Sequence, residues 1–205
     1  HQDIDTAVAN FSEKLDLSKL KEFTVEAGRP DTITKEKLRI LKELGCNRIS
    51  INPQTFNEAT LKRIGREHTI KDFYKAFEMC REMDFKNINV DVILGLPDEK
   101  VSDVVNTMEN LSILKPENIT VHTLAIKRAS ILKENLSKFD FADVSKIEEM
   151  ISVSRDYINE MDMLPYYLYR QKNMVGNFEN VGYCKEGFEG IYNIQIMEEK
   201  QTILA

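Results

Sequence analysis

The sequence has no surplus of positive charge, no long apolar run and no cysteine framework, and each absence removes a class of function. Lys and Arg number 28 against 34 Asp and Glu, for a formal net charge of -6. The basic face on which nucleic-acid phosphates are held is therefore missing, and no nucleic-acid partner is expected. No stretch approaches the roughly 20 apolar residues that cross a bilayer. The acidic, polar opening His1-Gln2-Asp3-Ile4-Asp5 is unlike a secretory signal, so no membrane partner is expected either. Cys46, Cys80 and Cys184 are odd in number and widely spaced, and no pair has C-x-x-C metal spacing. They read as buried thiols in a reducing, cytoplasmic protein, with no metal site in this chain. Neither G-x-G-x-x-G nor G-x-x-x-x-G-K-[ST] occurs, which removes the dinucleotide and P-loop phosphate cradles.

What is present is an ordinary globular composition over 205 residues, enough for one domain with a sizeable core. The hydrophobic period alternates between helix and strand spacing. Ile4, Val8, Phe11 and Leu15 predict an opening helix. Strands are predicted at 23–26, 47–51, 88–94 and 119–123, then at 166–169 after Pro165 and last at 191–197. Between them, Leu38, Leu41 and Leu44 mark a helix that Gly45 can end. Asn57 caps a short helix, and Thr69 with Asp72 forms a capping box for a longer one carrying Phe73, Ala76, Phe77 and Cys80. Two further helices run through Val101, Val105, Met108 and Leu111, and through Val144, Ile147, Ile151 and Ile158; the stretch 128–139 is ambiguous. Strands alternating with helices predict an α/β fold with a mainly parallel sheet and crossover helices on its outer face. Four or five units fall short of the eight in a full barrel of about 250 residues, so the sheet is open or part of a barrel.

The strands carry a second message. Parallel strands covered on both faces read as continuous apolar runs, whereas these alternate: Val25 against Glu26, Ile49 and Ile51 against Ser50 and Asn52, Val90 and Val92 against Asn89 and Asp91, Val121 against His122. One reading is an antiparallel sheet with a solvated side. The other, favoured by the crossover helices, is a concave interior lined by Glu26, Asn52, Gln54, Asp91 and His122, with ligand at the carboxyl ends of the strands. Carboxylates and carboxamides without a phosphate loop suit hydroxyl and amino groups, and an arginine such as Arg66 suits a carboxylate. A ligand with a ribose at one end and an amino acid at the other, such as S-adenosylmethionine, has that chemistry.

The segments FTVEAGRPDTIT, NRISINPQTFNEATLKRIGREHT and NINVDVILGLPDE, followed by ITVHTLAIKRAS and LPYYLYRQKNMVGNFENVGYCKEG, resemble the oxygen-independent coproporphyrinogen III oxidase-like radical S-adenosylmethionine family, in its clostridial and bacillary branch. The resemblance implies a partial (β/α) barrel of the radical SAM type. Residues 1–164 would form the barrel without its cluster-binding unit, and 165–205 the last barrel strand and the start of the following region. It implies that Glu26, Gln54, Arg66 and Asp91 hold S-adenosylmethionine, with Gln54 and Asp91 at the ribose and Arg66 at the carboxylate, and that Ile93 and Ala125 lie beside the adenine. Lys127, Arg128 and Arg170 are candidates for binding substrate carboxylates. The family's C-x-x-x-C-x-x-C ligands of a 4Fe-4S cluster do not occur before Phe23, so no residue of this chain is assigned as a catalytic or metal ligand. The expectation is an internal piece of a longer protein, inactive alone and weak at best in S-adenosylmethionine affinity, with exposed sheet edges that favour a dimer.

For the intact parent, the resemblance implies a haem-biosynthetic oxidoreductase. It would convert the propionates of a porphyrinogen substrate, coproporphyrinogen III, to vinyl groups by oxidative decarboxylation. A haem-binding or haem-delivering role in the same superfamily is the rival, although LPYYLYRQKN stands where the haem-chaperone branch has H-N-x-x-Y-W. A purely structural α/β module is the third reading, and a solvent-exposed polar strand face would support it.

Overall fold

The computed structural model describes residues 13, 17–125, 139–170, 178–200 and 202. The expected opening helix through Ile4, Val8, Phe11 and Leu15, and the candidates Lys127 and Arg128, lie outside the described residues.

Among the described residues six strands and six α-helices follow one another: β1 (Thr24–Glu26), α1 (Lys35–Glu43), β2 (Arg48–Ser50), α2 (Glu58–Arg63), α3 (Ile70–Glu82), β3 (Ile88–Leu94), α4 (Val101–Leu114), β4 (Asn118–Thr123), α5 (Val144–Glu160), β5 (Leu164–Tyr169), β6 (Asn180–Cys184) and α6 (Ile191–Met197). Local chemistry sets most boundaries. The Thr34 side chain accepts the Lys37 amide at the start of α1. Asn57 accepts from Ala59 and Thr60 at α2, and Thr69 and Asp72 exchange hydrogen bonds as a capping box at α3. Gly45 takes φ +87° just past α1, a left-handed exit that glycine makes without a Cβ clash. Lys115 leaves α4 at φ 52°, immediately before Pro116.

The strand order is β1-β2-β3-β4-β6-β5. The first three pairings are parallel, with Val25 opposite Ile49, Ile49 opposite Ile88 and Val90 opposite Ile119. That register puts the apolar half of each strand on one face. There Ile49, Ile51, Val90, Val92 and Ile119 form one buried cluster with Phe73 and Phe77 of α3, Met108 of α4 and Ile147 of α5. Phe73, Phe77 and Met108 are 2% exposed or less, and full burial of such a side chain stabilises by roughly 1.5–3 kcal/mol. The opposite face is the polar one. Among the described residues the sheet does not close, and β1 and β5 are its edges.

One expectation is corrected, and one strand appears that was not predicted. Residues 191–197 form helix α6 and not a strand. The run Ile-Tyr-Asn-Ile-Gln-Ile-Met fits either period, but Glu22 accepts the Ile191 amide at 2.6 Å, satisfying a helix-start donor, and no residue of α6 is buried. The strand that was not predicted is β6, Asn180–Cys184. β6 pairs antiparallel with both β4 and β5, so the parallel half gives way to an antiparallel pair.

Candidate functional site

The polar face begins with a floor of uncharged groups that satisfy one another. Asn89 donates through Nδ2 to Ser50 Oγ and to Asp91 Oδ1, both at 2.9 Å. Ser50 Oγ donates to Asn52 Oδ1 at 2.9 Å, and Thr120 Oγ1 donates to Asn89 Oδ1 at 3.3 Å. Thr120 Oγ1 also lies 3.1 Å from the Tyr167 hydroxyl on β5. Ser50, Asn89 and Thr120 are all buried. A solvated sheet face is thereby excluded for these positions: the side chains are removed from water and matched to protein partners, as buried polar groups require.

Toward the carboxyl ends of the parallel strands the face becomes ionisable and more open. Asp91 of β3 and His122 of β4 are half-buried, with Oδ2 and Nε2 3.7 Å apart. Tyr169 of β5 lies across from them, its hydroxyl 3.3 Å from His122 Nδ1. Glu26 ends β1 and is exposed at the sheet edge. Its pKa is nonetheless raised, first by desolvation and then by the Asp91 charge, against opposing effects of Ser50, Arg48 and His122. Two carboxyls that feel one another with few fixed cations between them form a site that favours ligand hydroxyl or ammonium groups. Ile93 alternates onto the same face as Asp91 and is partly exposed. Ala125, two residues beyond β4, is partly exposed at the same end of the sheet.

Gln54 belongs to this end through its main chain. Its amide donates to the Asp91 carbonyl at 3.1 Å and its carbonyl accepts from the Ile93 amide at 2.9 Å. The bridge pairs Gln54 with Val92, one residue out of step with the Ser50–Asn89 register, and Gln54 takes the left-handed φ of 67°. It lines a narrow crevice with Thr55, Val92, Glu99, Val104 and Met108; Val92, Val104 and Met108 belong to the apolar cluster, so the Gln54 side chain is on the helix-covered side and, against expectation, is not brought to Asp91. Arg66 follows α2, half-buried, with its amide donating to the Leu61 carbonyl. Its guanidinium has no hydrogen bond or ion pair among the described residues.

Arg170 goes elsewhere. It pairs with Glu179 at 3.0 Å and lines a cavity of about 160 Å³ with Val121, Ile151, Arg155, Val181 and Tyr183. Val121 and Ile151 pack with the apolar cluster, so this cavity is on the helix-covered side of the sheet and Arg170 is not brought to Asp91. Three residues that the sequence reading did not single out do line the polar face. Tyr167 and Tyr169 were hidden because the strand opposite them, β6, was not anticipated. Arg48, 3% exposed at the start of β2, has Nε and Nη2 buried without partners.

The described residues do not fit an iron–sulfur cluster. They contain no group of three His, Cys, Asp or Glu side chains arranged for a metal ion. The three thiols are buried, and desolvation pushes Cys46 up to about 11 and Cys80 and Cys184 up to about 12. That is the reverse of the thiolates a cluster needs. The donor set at the sheet end does fit a nucleoside carrying an amino acid. No helix among the described residues is long and apolar enough to cross a membrane.

Comparison with known proteins agrees with this geometry. Residues 3–111 match the radical SAM superfamily. The chain is 47% identical to the oxygen-independent coproporphyrinogen-III oxidase-like protein HemZ of Bacillus subtilis, over 92% of its own length and 38% of that protein. It is 30% identical to the heme chaperone HemW of the same organism, over 90% of this chain and 46% of that one. The fold superposes on coproporphyrinogen III oxidase (HemN) from Escherichia coli with a TM-score of 0.66 at 17% identity, covering 93% of this chain and 42% of that structure. The chain thus spans less than half the length of these relatives, and its open, mainly parallel sheet has the architecture of radical SAM (β/α) barrels. With more than half of its residues inside the family match and its polar groups gathered at the carboxyl ends of the strands, the chain belongs to the radical SAM superfamily.

Proposed function

We propose that this chain forms the S-adenosylmethionine-binding part of a radical SAM oxidoreductase that acts on a porphyrinogen, in which propionate side chains are oxidatively decarboxylated to vinyl groups. The observation that carries the reading is the meeting of Glu26, Asp91 and Ile93 on one face of the parallel strands, with Gln54 and Ala125 at the same strand ends. Asp91 keeps Oδ2 open to ribose hydroxyls while Asn89 holds Oδ1. Glu26 supplies a second acceptor at the sheet edge, and the main chain of Gln54 fixes the end of β3 beneath the nucleoside. Ile93 and Ala125 offer the small apolar contacts that suit an adenine, and Arg66 is free to pair with the carboxylate of the amino acid end. A 4Fe-4S cluster, which the described residues do not fit, would supply an electron for radical chemistry if other residues held it.

The HemZ relationship supports porphyrinogen chemistry in the whole protein, and the HemW relationship supports a second reading, haem binding and delivery. Two titrations of the chain separate them. Calorimetry with S-adenosylmethionine is expected to give weak, saturable, 1:1 binding that Asp91→Ala abolishes. Tight stoichiometric haem binding, with nucleoside binding unaffected by Asp91→Ala, would favour the carrier. Anaerobic iron–sulfur reconstitution is expected to yield no deoxyadenosine from this chain.

A further inference from the structure

His122 is the one imidazole on the polar face among the described residues, and its two nitrogens meet different partners. Nε2 faces Asp91 Oδ2 at 3.7 Å, beyond hydrogen-bond range but within strong electrostatic reach. Nδ1 lies 3.3 Å from the Tyr169 hydroxyl, and the two rings meet edge to face with centroids 6.3 Å apart. A carboxylate only accepts, so a lone pair on Nε2 directed at Asp91 is repelled and a proton there is favoured. Nδ1 then carries the lone pair, and Tyr169 donates to it. Tyr169 is itself fixed, its ring parallel to Tyr167 within 4° and its strand paired with Asn180 of β6.

On the Asp91 side, Asn89 holds Oδ1 at 2.9 Å, leaving Oδ2 as the oxygen whose direction is set by its electrostatic neighbour. Glu26 lies on the same face at the sheet edge, and the Asp91 charge is one cause of its raised pKa, so His122 is the cationic-side neighbour of two carboxyls that repel each other. Resting on the reading of Asp91 as the ribose acceptor, we propose that His122 is a positioning residue for it. In this arrangement Tyr169 of the antiparallel strand β5 selects the His122 tautomer, and that tautomer aims Asp91 Oδ2 at the ligand hydroxyls. The nucleoside site therefore extends beyond the parallel strands into the later antiparallel pair.

Two readouts test this. Long-range 1H–15N spectra of the imidazoles are expected to show neutral His122 in the Nε2–H form, and Tyr169→Phe is expected to admit a measurable Nδ1–H population. Calorimetry with S-adenosylhomocysteine is expected to show His122→Phe weakening binding by roughly three- to tenfold, the range of one lost polar contact, with His122→Gln recovering most of the loss. An unchanged tautomer in Tyr169→Phe, or full affinity in His122→Phe, overturns the proposal. If the wild-type chain and Asp91→Ala bind the nucleoside equally, the ligand reading of Asp91 fails. The tautomer spectra then still decide whether Tyr169 orders His122.

Discussion

Gly182 sits in the middle of β6, directly opposite Tyr167 of β5, and the structure fixes what an added methyl group meets there. A Cβ on Gly182 would stand 1.8 Å from Tyr167 Cε1, 2.4 Å from Cδ1 and 2.6 Å from Cζ. Non-bonded carbons are comfortable at about 3.5–4 Å, so the ring must leave by about 2 Å. It is poorly free to do so. Its hydroxyl meets Thr120 at 3.1 Å, and Tyr166 and Tyr169 lie 4.7 and 6.3 Å away by ring centroid. Overpacking strain of about 1–3 kcal/mol plus the Thr120 contact at about 1 kcal/mol gives an expected loss of about 2–4 kcal/mol for Gly182→Ala. At about 2–4 °C per kcal/mol for a chain of this size, the midpoint should fall by roughly 5–15 °C. Thermal unfolding followed by circular dichroism measures this, beside Tyr167→Ala and the double variant. Because the methyl group and the ring compete for one volume, the double variant should be less destabilised than the sum of the singles by about 2 kcal/mol. A Gly182→Ala midpoint within about 2 °C of wild type, or an additive double variant, refutes the reasoning.

Glu99 is 6% exposed, accepts from Thr55 at 2.5 Å, and is raised to about 7, chiefly by desolvation. The folded state therefore holds the proton more tightly than the unfolded one, so stability falls as pH rises from the ordinary carboxylate range toward 7 and levels off above it. At about 1.4 kcal/mol per unit the fall is about 3 kcal/mol; urea titrations across pH should show it in wild type and not in Glu99→Gln. Gln54 holds φ 67°, which costs a residue with a Cβ about 1–2 kcal/mol. Gln54→Gly should accordingly be more stable than Gln54→Ala by about 1 kcal/mol once glycine's extra entropy is allowed for, as read by denaturant midpoints. Arg48, buried with two unpartnered nitrogens, should be replaceable by methionine with a gain of about 1–3 kcal/mol. Its charge lowers the Glu26 pKa, so carbon-13 spectra should show Glu26 titrating higher in Arg48→Met; an unmoved Glu26 contradicts the electrostatic link.

Much of this was legible because two periods do not mimic each other over long segments. In β3, Ile88, Val90, Val92 and Leu94 alternate with Asn89 and Asp91, and seven residues suffice to show which side each takes. The capping box at Thr69 and the glycine exit at Gly45 have local physical causes and were readable for that reason. β6 was not. Its sequence Asn-Val-Gly-Tyr-Cys carries a glycine that weakens a strand in isolation, and the reason for the glycine is the ring of Tyr167, fifteen residues upstream. α6 was misread because seven residues of Ile, Tyr, Asn, Gln and Met satisfy either period, and Glu22 decides the matter from the far end of the chain. The slip at Gln54 was equally hidden: glutamine does not announce a left-handed backbone, so the shift from the Asn52–Asp91 level to a Gln54–Val92 bridge has no one-letter signature.

The division of the polar face argues for where a ligand enters. Ser50, Asn89 and Thr120 are neutral, buried and bonded to one another, so that level needs nothing further and a ligand there would have to break existing bonds. Beside them stand the carboxylates, Glu26 opposite Ser50 at the sheet edge and Asp91 opposite Thr120. An ionised carboxylate offers about four acceptor sites, and Asp91 uses one on Asn89 while His122 stays too far for a hydrogen bond. Donors are what these carboxylates lack, and the hydroxyls of a ribose diol or the N–H groups of an ammonium supply them. The cation that would have satisfied the carboxylates internally, Arg48, is held at the opposite end of β2, where it lowers the Glu26 pKa without bonding to it. The face is thus closed at its neutral groups and chemically incomplete at its carboxylates, and a donor-rich ligand at the carboxyl ends completes it.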